Sequence, residues 1–175
     1  MIEVVAKVFG AVSMVNAIAT GKGATLGIDT FVETKLVRKD GKGIEITSEN
    51  KTISSRLINQ IIKNLIPEKI LEKNRLELDF RSNIPTGYGL KSSSAISSAV
   101  ALSCAKSFRK KIGDEEILRL GAKTSIQTKV SITGAYDDAC ACHFGGFNVT
   151  DNLKMKLIHR ELAPKDLQVV IFLPK

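Results

Sequence analysis

The sequence contains no tryptophan, two tyrosines and no run of apolar residues long enough to cross a membrane. A membrane-spanning helix needs roughly 18 or more consecutive apolar residues, so we expect no membrane partner. The start Met1-Ile2-Glu3 lacks the basic residues of a secretory signal. The three cysteines are an odd number, and Cys140 and Cys142 lie too close together for an easy disulfide. These features favour a reducing compartment and a cytoplasmic location.

The charge balance is basic, because 26 Lys and Arg residues outnumber 18 Asp and Glu residues and give a net charge of +8. Such a charge favours anionic partners. Nucleic acid is not expected, because the basic residues are scattered and no motif interleaves them with aromatic side chains. With 43% hydrophobic residues, the 175-residue chain can form one domain around a core.

Residue periodicity predicts an α+β domain in which one mixed or antiparallel sheet carries helices packed on one face. Alternating or continuous apolar positions predict strands at residues 2–9, 31–38, 44–47, 75–81, 147–150, 156–160 and 167–173. Helical spacing or helix-start signals predict helices from Asn50 to Leu65, after Lys91, from Asp114 to Gln127, and before Gly145. Gly10 is expected to end the first strand. A turn at residues 40–43 is expected to join the second and third strands as a hairpin.

Two glycines and three serines lie between a predicted strand and a predicted helix. Gly87 and Gly89 permit backbone angles that other residues resist, and residues 92–94 are serines that open the helix. A helix start directs unpaired N–H groups and a partial positive charge at an anion. The stretch therefore predicts a phosphate site, and the alternative is a glycine turn followed by a serine-capped core helix.

This stretch is not a Walker A loop, because Thr86 and Leu90 occupy the positions where that motif needs glycine. The order P-x-x-x-G-L-x-S-S instead resembles the phosphate-binding motif of the galactokinase, homoserine kinase, mevalonate kinase and phosphomevalonate kinase superfamily (GHMP kinases). The matching residues are Pro85, Gly89, Leu90, Ser92 and Ser93. Lys91 and Ser94 depart from the usual glycine and alanine. The form G-L-K-S-S-S-A resembles the version in archaeal-type shikimate kinases.

The resemblance implies binding sites in two segments. The implied ATP-binding residues are Pro85, Gly87, Gly89, Leu90, Lys91, Ser92, Ser93, Ser94 and Ala95. Ser93 is also the implied Mg²⁺ ligand. The segment N-A-I-A-T-G-K-G, residues 16–23, resembles the N-terminal signature of the same branch. It implies that Asn16 and Lys22 lie near the substrate, although Lys22 can equally be a solvated loop residue.

Asp137-Asp138 is the second chemical signal. In GHMP kinases a T/S-G-x-D segment followed by G-G carries the catalytic aspartate. Counting back seven residues from Gly145 gives Asp138, whereas counting forward from Gly134 gives Asp137. We favour Asp138 as the catalytic residue and keep Asp137 as the alternative. A carboxylate here would accept or orient the proton of the attacking hydroxyl.

The metal ligands are less well specified. Many GHMP kinases hold Mg²⁺ with a glutamate upstream of the catalytic aspartate, at the position where this chain has Gln127. The resemblance therefore leaves the metal to Asp137, or to the nucleotide together with Ser93. Cys140-x-Cys142-His143 supplies three ligands at most, so no zinc site is expected there.

The resemblance implies an ATP-dependent kinase that phosphorylates an alcohol group of a small acid. Shikimate is the first expectation, which would place the chain in aromatic amino acid biosynthesis, and homoserine or mevalonate are alternatives. An inactive nucleotide- or RNA-binding fragment of the same fold also remains open. GHMP kinases continue into a C-terminal ferredoxin-like domain, so we expect residues 1–175 to be the N-terminal ATP-binding domain. Apolar surface that such a domain would cover is expected to promote self-association.

Overall fold

A computed structural model describes residues 1–48 and 54–173, and these residues form both strands and helices, as predicted. The elements are β1 (Ile2–Val15), β2 (Lys22–Asp40), β3 (Gly43–Ser48), α1 (Ser55–Leu65), α2 (Glu68–Leu71), β4 (Asn74–Ser82), α3 (Ser92–Ser107), α4 (Asp114–Gln127), α5 (Tyr136–Phe144), β5 (Phe147–Asp151) and β6 (Lys156–Glu161). The α+β class is confirmed. None of the described helices is long and apolar enough to cross a membrane.

The sheet is built around the long strand β2. β1 lies antiparallel along one edge of β2. On the other edge, β4 pairs antiparallel with residues 32–40 and β5 pairs antiparallel with residues 22–26. β3 then adds to β4 in parallel, and β6 adds to β5 antiparallel. One strand therefore connects the two halves of the sheet.

The core lies between the sheet and the helices. Leu76, Leu78 and Phe80 point from β4 into it, as strict alternation predicts. They join the apolar face of α1, where the buried residues are Leu57, Ile58, Ile61, Ile62 and Leu65. α3 lies centrally, because it contacts β1, β2, α1, α4 and α5. Its alanines and serines are small enough for neighbours to approach on most sides.

The first predicted strand is longer than expected. Gly10 does not end β1, because the chain continues to Val15 through a register shift between Phe9 and Gly10. A Cβ at Gly10 would lie 2.1 Å from the Thr30 hydroxyl oxygen, so glycine allows the close approach at this shift. Residues 10–29 are therefore mainly a β-hairpin, formed by the end of β1 and the start of β2.

Two other strand predictions are wrong. β3 does not form a hairpin with β2, because β4 lies between them and pairs with both. Residues 167–173 form no strand and have no sheet partner within the described part of the chain, and Phe172 is 89% exposed. The predicted helix start at Asn50 falls outside the described residues. The described helix is capped by Ser54, whose hydroxyl accepts a hydrogen bond from the Leu57 amide.

Candidate active site

The glycine–serine loop, residues 85–94, leads from β4 into α3. Gly87 and Gly89 have φ angles of +86° and +75°, and open space lies where their Cβ atoms would be. α3 begins after Lys91, whose side chain makes no capping hydrogen bond. The first N–H groups of a helix have no partner within it. The positive end of α3 is therefore available to an anion.

A pocket of about 300 Å³ lies in front of this helix start. Its walls come from the glycine–serine loop, from the end of α4 with the turn that follows, and from the start of α5. The lining residues are Gly87, Gly89, Leu90, Lys91, Ser92, Ser93, Ser94, Ser125, Val130, Ser131, Ala135 and Asp138. The pocket thus brings the predicted phosphate loop and one of the two predicted acids together.

Asp138 presents a sheltered carboxylate to this pocket. Its Oδ1 atom lies 3.2 Å from Lys91 Nζ, and the two side chains are 13% and 17% exposed. The pKa of Asp138 is raised to about 6, first by burial and then by the charge of Asp137, against the lowering effect of Lys91. A carboxylate with a pKa near the working pH is well suited to accept a proton.

The neighbouring acid, Asp137, belongs to a buried polar network. Its carboxylate accepts hydrogen bonds from Thr25 Oγ1 at 3.4 Å and Asn152 Nδ2 at 2.7 Å. Asn152 Oδ1 in turn accepts from the Asp137 amide at 3.0 Å and from Thr150 Oγ1 at 2.7 Å. All four residues are at most 4% exposed. Asp137 therefore anchors the start of α5 to β2 and β5, and it does not line the pocket.

Glycines on β2 allow α5 to approach the sheet. A Cβ at Gly23 would lie 2.2 Å from Asp137 Oδ2, and one at Gly27 would lie 2.7 Å from the Cα of Gly145. Real Cβ atoms do not make contacts this short. Among the described residues, α5 and the glycine that follows it thus occupy the space beside Gly23 and Gly27.

The other predicted binding residues do not line this pocket. Asn16 is in the exposed turn between β1 and β2, where its Oδ1 accepts a hydrogen bond from the Ile18 amide. Lys22 is exposed at the start of β2, opposite Asp151. Pro85 and Ala95 flank the lining residues, and Ala95 is fully buried in α3. The substrate roles of Asn16 and Lys22 stay predictions.

The possible metal ligands are dispersed. The described residues contain no group of three or more His, Cys, Asp or Glu side chains that could hold a metal ion. Cys140 and Cys142 are free and buried, and burial raises the pKa of Cys140 to about 12. His143 Nε2 lies 3.0 Å from Asp114 Oδ1. Gln127 is exposed, and its Oε1 accepts a hydrogen bond from Asn64 Nδ2.

Sequence reasoning missed both the supporting network and part of the pocket wall. Ser125 and Ser131 line the pocket, and Thr25 and Asn152 hold Asp137. These residues belong to no recognisable motif. No local signal singled them out, because their role depends on contacts between residues far apart in the chain.

An uncapped helix start and a sheltered carboxylate line the same pocket, an arrangement that would suit the binding of a phosphate. A family model described as "GHMP kinases N terminal domain" matches residues 56–146, more than half of the chain. The chain therefore belongs to the GHMP kinase family, and the resemblance drawn from the motifs is confirmed.

Curated relatives extend the similarity to almost the whole chain. A shikimate kinase of Pyrococcus furiosus is 37% identical over 166 residues, which are 94% of this chain and 60% of that protein. A shikimate kinase of Methanosarcina acetivorans is 44% identical over 175 residues, covering 95% of this chain and 56% of the relative. The chain thus spans about 60% of the length of the curated relatives it matches.

Solved structures show the same fold at lower sequence identity. The mevalonate kinase of Methanococcus jannaschii superposes with a TM-score of 0.75 at 17% identity, covering 94% of this chain and 57% of its own. A galactokinase of Lactococcus lactis complexed with galactose gives 0.75 at 19% identity, covering 94% and 48%. At these identities the likeness supports the fold alone.

The raised pKa of Asp138 predicts a pH-dependent cost to stability. The folded-state pKa is about 6 and the reference value is 3.8, so folding is favoured by protonation. This contribution is complete below about pH 4 and is lost as the pH rises through about 6. A shift of about 2 units corresponds to about 3 kcal/mol. The unmodified chain should therefore lose about this amount of unfolding free energy relative to Asp138→Asn as the pH rises from about 4 to 8.

Urea denaturation followed by circular dichroism across this pH range measures the effect. Asp166→Asn is the matched control, because Asp166 lies in the exposed C-terminal segment. If Asp138→Asn changes stability equally at both ends of the range, the Asp138 carboxyl is not destabilised by burial.

The network around Asp137 predicts a large effect of Asn152→Leu. Leucine has a similar volume but leaves the buried carboxylate without its shortest hydrogen bond, so we expect a loss of about 3–5 kcal/mol of stability. The loss should be smaller when Asp137→Asn is already present, because no buried charge is then left unpaired. Urea denaturation measures both losses of stability. Equal losses in the two backgrounds would mean that Asn152 does not stabilise the Asp137 carboxylate.

Proposed function

We propose that this chain carries the ATP-binding domain of a kinase that phosphorylates an alcohol group of a small acid, with shikimate as the acceptor. The observation that carries the proposal is the position of Asp138, which faces the uncapped start of α3 across one pocket. Phosphoryl transfer needs an anion site for the phosphates and a carboxylate at the attacking hydroxyl. The pocket offers both.

The start of α3 binds the triphosphate in this proposal. Its free N–H groups and helix dipole favour the phosphates, and the hydroxyls of Ser92, Ser93 and Ser94 add donors. Gly87 and Gly89 leave open space in front of the backbone, so a phosphate can approach it closely. The binding energy thus comes mainly from the main chain.

Asp138 acts on the acceptor. Its carboxylate accepts or orients the proton of the hydroxyl that attacks the γ-phosphorus, while the bond to the β–γ bridging oxygen breaks and ADP leaves. Its sheltered position keeps water from replacing the acceptor hydroxyl at this atom. The acid beside it, Asp137, holds the helix that carries it.

Mg²⁺ fits this pocket with few protein ligands. It would be held by the nucleotide phosphates and by the hydroxyl of Ser93, which is exposed at the start of α3. When bound, Mg²⁺ neutralises the charge of the triphosphate. The Asp137 carboxylate is directed to Thr25 and Asn152, so it does not offer a free oxygen to the metal.

The choice of shikimate rests on the curated relatives. Proteins named shikimate kinase are 37% and 44% identical over most of this chain. The net charge of +8 favours the approach of an acid and of ATP. Three free, buried cysteines suit the reducing cytoplasm. Homoserine and mevalonate remain the alternative acceptors.

We further propose that residues 1–175 form the N-terminal part of this kinase. A C-terminal ferredoxin-like domain, which the resemblance to GHMP kinases implies, would close the pocket. Closure over the phosphates excludes water and holds the γ-phosphoryl group. Exposed apolar side chains in the C-terminal segment, such as Val170 and Phe172, would be covered in that arrangement. Without cover they favour self-association.

Acceptor-dependent ADP release tests the function. We expect shikimate to stimulate ADP formation from ATP, and homoserine and mevalonate to give little, on this chain or on a version extended by its downstream reading frame. The Asp138→Asn variant serves as the inactive control. Stimulation by homoserine or mevalonate instead would identify that compound as the acceptor. No stimulation in either version of the chain would refute the kinase proposal.

Gly89→Ala should weaken ATP binding. The added Cβ would project into open space in front of the helix start, where the phosphates are proposed to bind. We expect affinity by calorimetry to fall at least about tenfold, equivalent to about 1.4 kcal/mol. Gly43→Ala is the matched control, since Gly43 also has a positive φ and open space at Cβ but lies on β3. Equal affinities in the two variants would show that the loop is only a turn.

Asp138→Asn and Asp137→Asn should behave differently. Asp138→Asn removes the proton acceptor, so turnover should fall on the order of 10²- to 10⁴-fold with little change in ATP affinity. Asp137→Asn should mainly lower stability, because it alters a buried network. Turnover lost in Asp137→Asn at unchanged stability, and kept in Asp138→Asn, would reverse the assignment.

A further inference from the structure

Lys91 occupies a backbone position where glycine would be less strained. It has a φ of 65° and a ψ of 27°, in the left-handed region, at the residue that precedes α3. Side-chain-bearing residues avoid this region because Cβ approaches the following carbonyl oxygen. The strain indicates that the lysine side chain provides something at this position that glycine could not.

The side chain of Lys91 is directed at α5. Nζ lies 3.2 Å from Asp138 Oδ1, and both side chains are largely sheltered from water. The main chain of Lys91 contacts the same helix, because its carbonyl oxygen lies 3.8 Å from Cys142 Sγ in hydrogen-bonding geometry. Lys91 therefore joins the start of α3 to α5 through both its backbone and its side chain.

We propose that Lys91 is a positioning residue that acts through Asp138, fixing its carboxylate at the pocket, and is not itself a ligand of the phosphates. This inference rests on the proposed function and refines the sequence-based expectation that Lys91 binds ATP. A sheltered ion pair resists rearrangement, because separating it leaves an uncompensated charge.

The surroundings of Asp138 support this role. The side chains that act on its carboxyl are those of Asp137, Lys91 and Thr25, of which Lys91 carries the positive charge. Asp137 is held by Asn152, so it cannot turn to share the lysine without breaking the buried network. Among the described residues, Lys91 is therefore the group placed to fix the Asp138 carboxylate.

A double-mutant cycle on turnover tests the proposal. We expect Lys91→Met to lower kcat on the order of 10²-fold and to change the ATP dissociation constant less than about threefold. In the Asp138→Asn background, Lys91→Met should lower kcat less than about threefold further, because the two residues act as one unit. Losses that multiply, or a drop in ATP affinity of about tenfold or more in Lys91→Met, would overturn the proposal.

Three further variants separate the side chain from the backbone. Lys91→Gly relieves the strained φ but should lose as much turnover as Lys91→Met, whereas Lys91→Arg should recover part of it. Lys129→Met is the matched control, because Lys129 is exposed, has a φ of 59° and does not line the pocket. Full turnover in Lys91→Gly would show that the lysine side chain has no role.

The same cycle read by urea denaturation is independent of phosphotransfer. Lys91→Met should shift the urea midpoint less in the Asp138→Asn background than in the unmodified chain, because the ion pair is already broken there. If neither this chain nor its extended version shows phosphotransfer, the proposed function fails while this coupling is still measured. Equal midpoint shifts in the two backgrounds would show that Lys91 and Asp138 do not interact.

Discussion

The buried contact between Asp137 and Asn152 is the constraint on which the candidate active site depends. A carboxylate that is 4% exposed must be compensated by hydrogen bonds, and Asn152 supplies one to the carboxylate while accepting another from the Asp137 amide. This contact holds the start of α5 against the sheet. Glycine at position 23 is then required, since a Cβ there would overlap the carboxylate. Asp138 faces the start of α3 because α5 is held in this position.

Two adjacent aspartates thus have different roles because their surroundings differ. Residues next to each other on a helix point about 100° apart, so one carboxylate enters the core and the other enters the pocket. The inner one is fully hydrogen-bonded, and the outer one is paired with Lys91 across a gap between two helices. The sequence count alone could not separate the two residues; the structure separates their surroundings, and the catalytic role of Asp138 stays a proposal. In the proposed function, the phosphates and the acceptor therefore bind at different helices of the same domain.

Local sequence patterns predicted most helices and strands well, but they did not predict which strands pair with each other. The alternation of β4 and the helical spacing of α4 depend on neighbouring residues, so both elements were predicted within one residue at either end. The parallel pairing of β3 with β4 could not be read from the turn that follows β2, because β4 comes much later in the chain. Residues 167–173 are an apolar run like that of a buried strand but have no neighbouring strand among the described residues. In the site, glycines and serines revealed the loop, while Asn152 carried no local signal.

The central claim is that the start of α3 receives the phosphates of ATP. Amide chemical shifts measured by NMR during titrations with ATP, ADP and adenosine test it directly. We predict that the amides of Ser92, Ser93 and Ser94 shift with ATP and ADP but much less with adenosine, because N–H groups that bind phosphate are the ones most perturbed. Unchanged amides at these serines, with the largest ATP-dependent shifts elsewhere in the chain, would contradict the claim.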